Sequence, residues 1–165
     1  MKIFRSKLII PRLPDAITRN HLLNFEDEIK DLLSKMTLEE KVGQLTQITS
    51  EAFSSKRGDV KNDQVIDHDE LKELIHTYGI GSFLNVWDKA LTVEHWQSLI
   101  TTIQDEAEKT RLGIPVLYGI DAIHGNNYTI GGTLCPQSIN TGASWNTELA
   151  QVEGEITALE MRAAG

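Results

Sequence analysis

Apolar positions along this 165-residue chain fall into helical stripes and short continuous runs, separated by glycine, proline and small polar residues. Phe25, Ile29, Leu32, Leu33 and Met36 keep the i, i+4, i+7, i+8, i+11 spacing of a one-sided helix, and this stripe predicts a helix packed on the core. Glu26, Asp27, Glu28 and Asp31 sit early in it, where the helix dipole favours anions. Thr37-Leu38-Glu39-Glu40 has the capping-box pattern, so a second short helix starts there and runs to about Leu45. Residues 50–64 are polar and aperiodic and read as a surface loop. Leu71, Leu74 and Ile75 mark a further helix that Gly79 closes.

Residues 80–86 are apolar and bounded by glycine, which suits a buried strand. Trp96, Leu99, Ile100, Ile103 and Ala107 then return to helical spacing, with Thr92 as cap and Gly113 beyond the end. Residues 114–120 read as a second buried strand with Pro115 at its entrance, and residues 139–143 as a third apolar segment. The last helix starts at the cap Asn146 and carries Leu149, Val152, Ile156, Leu159 and Ala163 on one face. Strand alternating with helix predicts an α/β fold with a parallel sheet. Only about three strands are expected, whereas a closed (β/α)8 barrel needs eight and about 250 residues. The chain therefore reads as truncated after about three βα units, behind an irregular lead-in over residues 1–23. Such an open piece should leave apolar strand edges and helix faces exposed, and aggregate or pair with another chain.

The composition narrows the partners. The net charge is −8, with no block of Lys and Arg, so neither nucleic acid nor an anionic membrane surface is expected as partner. No run approaches a membrane span, and the apolar stretch after Lys7 stops at Pro11, too short for a signal sequence, so no compartment is assigned. Cys135 is the single cysteine and reads as a small buried hydrophobe. No ligand cluster for a metal is apparent, and His68, His76 and His95 read as surface residues.

In parallel α/β folds ligands bind where the loops beyond the strand carboxyl ends converge. Asp121 ends the strand at 114–120 and is followed by Ala122, Ile123, His124 and Gly125. A carboxylate there accepts hydrogen bonds from the hydroxyls of a polyol, or else caps the following loop, or pairs with a buried Arg or with His124. His124 either contacts a ligand or holds the loop as a satisfied core group. Trp87, just past the strand at 80–86, is a candidate sugar-stacking platform, whereas Trp96 and Trp145 read as core aromatics.

The words around Asp121 carry a resemblance. DEAEKTRLGIPVLYGIDAIHG at 105–125 resembles the substrate-binding segment of glycoside hydrolase family 3, the β-glucosidase and exo-β-glucanase family. The likeness continues in LLSKMTLEEKVGQLTQ at 32–47, GIGSFLNV at 79–86, WQSLITTIQDEA at 96–107 and GEITALEMRAAG at 154–165. The resemblance implies a retaining exo-glycosidase with a TIM-like barrel followed by an α/β sandwich domain. Residues 24–165 would then be the first part of the barrel domain, without the second half of the barrel and the second domain. It further implies that Asp121 grips hydroxyls of the terminal sugar in subsite −1, and that His124 and Gly125 support the loop. The family's nucleophile is an Asp on a later strand and its acid/base commonly a Glu of the second domain, so no catalytic residue is expected in this chain. Retaining hydrolysis needs two carboxyl groups about 5–5.5 Å apart, and no organic cofactor or metal.

The substrate so implied is a β-glucoside or β-linked oligosaccharide that loses its non-reducing glucose. The segment Gly-Ile-Asp-Ala-x-His-Gly resembles the glucosidase branch, with a β-xylosidase of the same family as the alternative. Departures at Asn126-Asn127-Tyr128-Thr129, Cys135-Pro136-Gln137-Ser138 and Ser144-Trp145-Asn146 bear on linkage and aglycone preference. From another class, the rival is a non-catalytic sugar-binding protein or a decayed gene fragment.

Overall fold

The computed structural model describes residues 25–55, 65–86 and 89–165. The lead-in at 1–23 and the candidate platform Trp87 lie outside the described residues. Helix α1 (Glu26–Lys35) belongs to a small N-terminal unit, and Thr37–Gly165 forms a second compact unit. No residue of α1 is buried, and Phe25, Ile29 and Leu33 of its apolar stripe are exposed. The burial expected of its apolar stripe is therefore not seen among the described residues. Its spacing makes it amphipathic, but spacing does not supply a surface to cover it.

The second unit opens on the expected capping box. Thr37 Oγ1 accepts from the Glu40 amide at 3.2 Å, and Glu40 Oε2 accepts from the Thr37 amide at 2.8 Å, starting α2 (Leu38–Gln44). Strand β1 (Gln47–Thr49) follows, and a 3-10 turn (Ser50–Phe53) leads from it. Sequence reasoning passed over β1, because three residues with one apolar side chain among them give no alternating or continuous signal. The turn also corrects the loop expected at 50–64 at its start. Ser50 and Phe53 are fully buried, Phe53 edge-on to Phe83 with ring centroids 4.8 Å apart.

Helix α3 (His68–Lys72) runs into a wider turn (Glu73–Thr77) and ends near Gly79, whose φ is +63°. Strand β2 (Ser82–Leu84), helix α4 (Val93–Ala107) and strand β3 (Leu117–Gly119) follow in order. The three strands make one parallel sheet ordered β1-β2-β3, with Ile48 opposite Phe83 and Phe83 opposite Tyr118. The α/β class and parallel sheet are thus as expected. The approach of α2 to the turn that precedes β2 depends on Gly43, where a side-chain carbon would lie 2.4 Å from the carbonyl oxygens of Tyr78 and Gly79.

The core gathers Phe53, Leu71, Ile75, Phe83, Trp96, Leu99, Ile103, Ala107 and Val116. Four of the five stripe residues predicted for α4 are buried in it, and Thr92 caps the helix by accepting from the His95 amide. Burying side chains the size of Leu99 or Ile103 contributes about 1.5–3 kcal/mol each. His76 lies on the surface as expected, but it has a partner there: its Nε2 is 2.9 Å from Glu106 Oε1.

The segment at 139–143 is a helix, α5 (Ser138–Ala143), and not a third apolar strand. Its apolar members Ile139 and Ala143 are four residues apart with Asn140, Thr141 and Gly142 between, a helical spacing with no continuous apolar face. The last helix, α6 (Thr147–Ala164), starts at Asn146, whose Oδ1 accepts from the Leu149 amide at 3.0 Å. Its apolar stripe does not form core: Leu149, Val152 and Leu159 are exposed, and Ala164 is the buried residue. The polar flank beside this stripe makes hydrogen bonds instead. Glu160 accepts from the Thr133 amide and hydroxyl at 2.7 and 2.6 Å, and Glu153 accepts from the Thr141 hydroxyl at 2.8 Å. Trp145 is 92% exposed, against the expectation of a core aromatic, since it stands in the tight α5–α6 joint with φ +52°.

Candidate functional site

The carboxyl ends of the three strands lie side by side because the sheet is parallel and nearly in register. Each strand hands over to a polar residue: Ser50 directly after β1, Asn85 directly after β2, and Asp121 two residues after β3. The main chain bends at Asp121, where the Ala122 amide donates to the Ile120 carbonyl at 3.0 Å in a three-residue turn. Asp121 is exposed as a result.

Its partner is neither an arginine nor His124. Asn85 Nδ2 donates to Asp121 Oδ2 at 2.8 Å, and the Asp121 amide donates to Asn85 Oδ1 at 2.8 Å. Asp121 Oδ1 makes no hydrogen bond among the described residues, which leaves it as an acceptor for a hydroxyl from solvent or ligand. Asn85 has φ +55°, the left-handed region that Asn tolerates better than most side chains. Its amide donates to the Gly119 carbonyl at 2.9 Å. Its carbonyl accepts from the Ser50 hydroxyl and, at 2.7 Å, from the Tyr118 phenol. Burial pushes the Tyr118 phenol up to about 12, so it stays protonated and donates at neutral pH. Tyr118 also stands edge-on to Trp96, at 5.8 Å between centroids.

The loop beyond Asp121 folds through its main chain. The Cys135 amide donates to the His124 carbonyl at 2.8 Å, and the Asn126 amide to the Thr133 carbonyl at 3.1 Å. The His124 ring is half-buried and makes no hydrogen bond among the described residues. Gly125 is buried at φ +73°, and a side-chain carbon there would meet the Thr133 carbonyl oxygen at 2.2 Å. Glycine is the residue this crossing admits. Cys135 is half-buried, less than expected, and burial raises its thiol with the Glu153 carboxylate adding to the effect. A thiol held in the neutral form is a poor nucleophile and a poor metal ligand. No group of His, Cys, Asp and Glu suited to a metal occurs among the described residues, and no helix among them is long and apolar enough to cross a membrane.

Sequence reasoning singled out Asp121 but missed Asn85, Ser50 and Tyr118. The rule that pointed to Asp121, a polar side chain at the carboxyl end of a parallel strand, applies equally to Asn85 at the end of the run at 80–86. Ser50 was hidden because its strand was not recognised. Tyr118 lies inside a buried run, where only the fold shows that its hydroxyl reaches the next strand.

Residues 37–165 match the family described as glycosyl hydrolase family 3 N terminal domain. The chain is 34% identical over 146 residues to a lysosomal beta glucosidase of Dictyostelium discoideum, covering 83% of this chain and 17% of that protein. It is 28% identical over 154 residues to a periplasmic beta-glucosidase of Salmonella typhimurium, covering 91% and 17%. A third relative, beta-glucosidase C of Emericella nidulans, is 27% identical over 158 residues, covering 90% and 24%. The chain thus spans between about a sixth and a quarter of the length of these relatives. With a parallel α/β sheet and a family match that runs through every strand and the loop beyond Asp121, the chain belongs to glycosyl hydrolase family 3, through its N-terminal domain.

Proposed function

We propose that this chain is the first part of the barrel domain of a retaining β-glucosidase, covering about three βα units, and that it supplies part of the pocket for the non-reducing terminal glucose. The observation that carries this reading is Asp121: an exposed carboxylate at the carboxyl end of a parallel strand, held through one oxygen and open at the other. A carboxylate so placed takes hydrogen bonds from sugar hydroxyls, and such bonds are stronger than those between neutral groups. Those bonds act in positioning, since the sugar ring must be held while it distorts toward the oxocarbenium-like state. The names of the three relatives support glucose as the terminal sugar.

The bond-breaking carboxyls are a separate matter. A nucleophile and an acid/base must flank the glycosidic bond at about 5–5.5 Å from each other. We expect neither from this chain, and the side chain hydrogen-bonded to Asp121 is an amide and not a second carboxyl. The 165-residue chain is therefore expected to bind glucose weakly and to leave an aryl β-glucoside intact. Titration with D-glucose, followed by 1H–15N NMR, tests the first part, with Asp121→Ala expected to weaken binding at least about tenfold through loss of a charge-assisted contact. Release of aryl alcohol by the purified chain, abolished in Asp121→Ala, would overturn the second.

A further inference from the structure

We infer that Asn85 is the positioning residue of this site, fixing the Asp121 carboxylate through one oxygen so that Oδ1 is presented to a sugar hydroxyl. The inference rests on the proposed glucose-binding role of Asp121 and concerns how that carboxylate is held.

A single planar amide makes two hydrogen bonds to one residue, donating to Asp121 Oδ2 and accepting from the Asp121 amide, both at 2.8 Å. The orientation of the Asn85 amide follows from chemistry. Turned over, its NH2 would face the Asp121 N–H and its oxygen would face the carboxylate, two repulsive contacts in place of two attractive ones. The pair therefore couples the main chain at Asp121 to its side chain, and neither rotates without breaking a bond. Asn85 is itself clamped. Its main chain, at φ +55°, is held by the Gly119 carbonyl on one side and by the Ser50 and Tyr118 hydroxyls on the other. Ser50 is fully buried, so its bond is shielded from water. The result is a chain of contacts across all three strands, from Ser50 after β1, through Asn85 after β2, to Asp121 after β3.

Residue type matters at this position. Gln adds a methylene and cannot reach both Asp121 groups from the same main-chain position, and Asp would set one carboxylate against another. A carboxylate that is already ordered loses less freedom when a ligand binds, and freezing one side chain changes affinity by about three- to tenfold.

The test uses the 165-residue chain, D-glucose as the probe, and the variants Asn85→Gly, Asn85→Asp and Asp121→Ala. Glycine keeps the left-handed φ and removes only the side chain, so Asn85→Gly is expected to retain the thermal melt. It is expected to weaken glucose binding about three- to tenfold, and Asn85→Asp to weaken it further. A second measurement needs no ligand. The χ1 couplings of Asp121 should report one rotamer in the parent chain and an average in Asn85→Gly, and the Asn85 side-chain NH2 signals should lose protection from exchange in Asp121→Ala. Unchanged affinity in a folded Asn85→Gly, or a single Asp121 rotamer in that variant, overturns the inference. Absence of any glucose-induced shift in the parent chain overturns the sugar-binding reading instead, and the coupling measurement then still decides the role of Asn85. Should Asn85→Gly fail to fold, the NH2 exchange in Asp121→Ala decides it, because Asn85 is intact there.

Discussion

Helices α4 and α6 both carry apolar residues at helical spacing, the stripe of α4 being the more pronounced, yet they end in opposite situations. In α4, Trp96, Leu99, Ile103 and Ala107 are buried against the sheet and α3. In α6, Leu149, Val152 and Leu159 stay near half exposure, while Glu153 and Glu160 make the contacts to the loop and α5. Amphipathicity states which side of a helix gains by leaving water. Burial requires a second apolar surface, and α4 has one because it connects two adjacent parallel strands and so lies across the sheet. The α6 stripe meets no such surface among the described residues, and neither does the exposed Leu117 of edge strand β3.

That contrast is sharpest in substitutions that remove similar apolar bulk. Phe83→Ala, at a fully buried centre edge-on to Phe53, is expected to cost about 3–5 kcal/mol in urea unfolding, and Leu159→Ala about 1 kcal/mol or less. Similar costs at the two sites would show that the α6 stripe is covered in solution. Native-state amide exchange should follow the same division, with α4 exchanging only on global unfolding and α6 through smaller openings.

The next contrast is between two glycines of the loop beyond Asp121, both at positive φ. A side-chain carbon at Gly125 would strike the Thr133 carbonyl, whereas Gly131 at φ +86° has nothing within 4 Å. Gly125→Ala should cost about 2–4 kcal/mol from strain and overpacking together. Gly131→Ala should cost only the left-handed penalty, about 1–2 kcal/mol. Equal melting shifts would mean that the loop opens away from the crossing at Gly125.

A smaller effect concerns charge where the turn after α3 meets the end of α4. Lys109 chiefly, through its hydrogen bond, and His76 secondarily hold the Glu106 carboxyl below its ordinary value of 4.5. Because the folded value is lowered, the stability from this group is present above the ordinary carboxylate range and is lost as pH falls through the folded value. Glu106→Gln is therefore expected to flatten the stability curve between about pH 5 and pH 3. Parallel curves for the variant and the parent chain would remove Glu106 from the account of acid sensitivity.

Local chemistry settled much of this chain before any fold was known. The cap at Thr37 and its return from Glu40, the caps at Thr92 and Asn146, the stripe of α4, and the runs that contain β2 and β3 are all written in short spacings, because helices and buried strands impose periods of their own. The position of Asp121 at a strand end was legible for the same reason. Tertiary structure alone decided the rest. Strand β1 has too few residues to carry a pattern and exists through its pairing with β2. The segment around Ile139 became a helix, and the stripes of α1 and α6 stayed exposed, since burial is a property of two surfaces and a sequence period describes one. The link from Ser50 through Asn85 to Asp121 joins residues 35 and 36 positions apart, and only the parallel alignment of three strands brings them within hydrogen-bond reach.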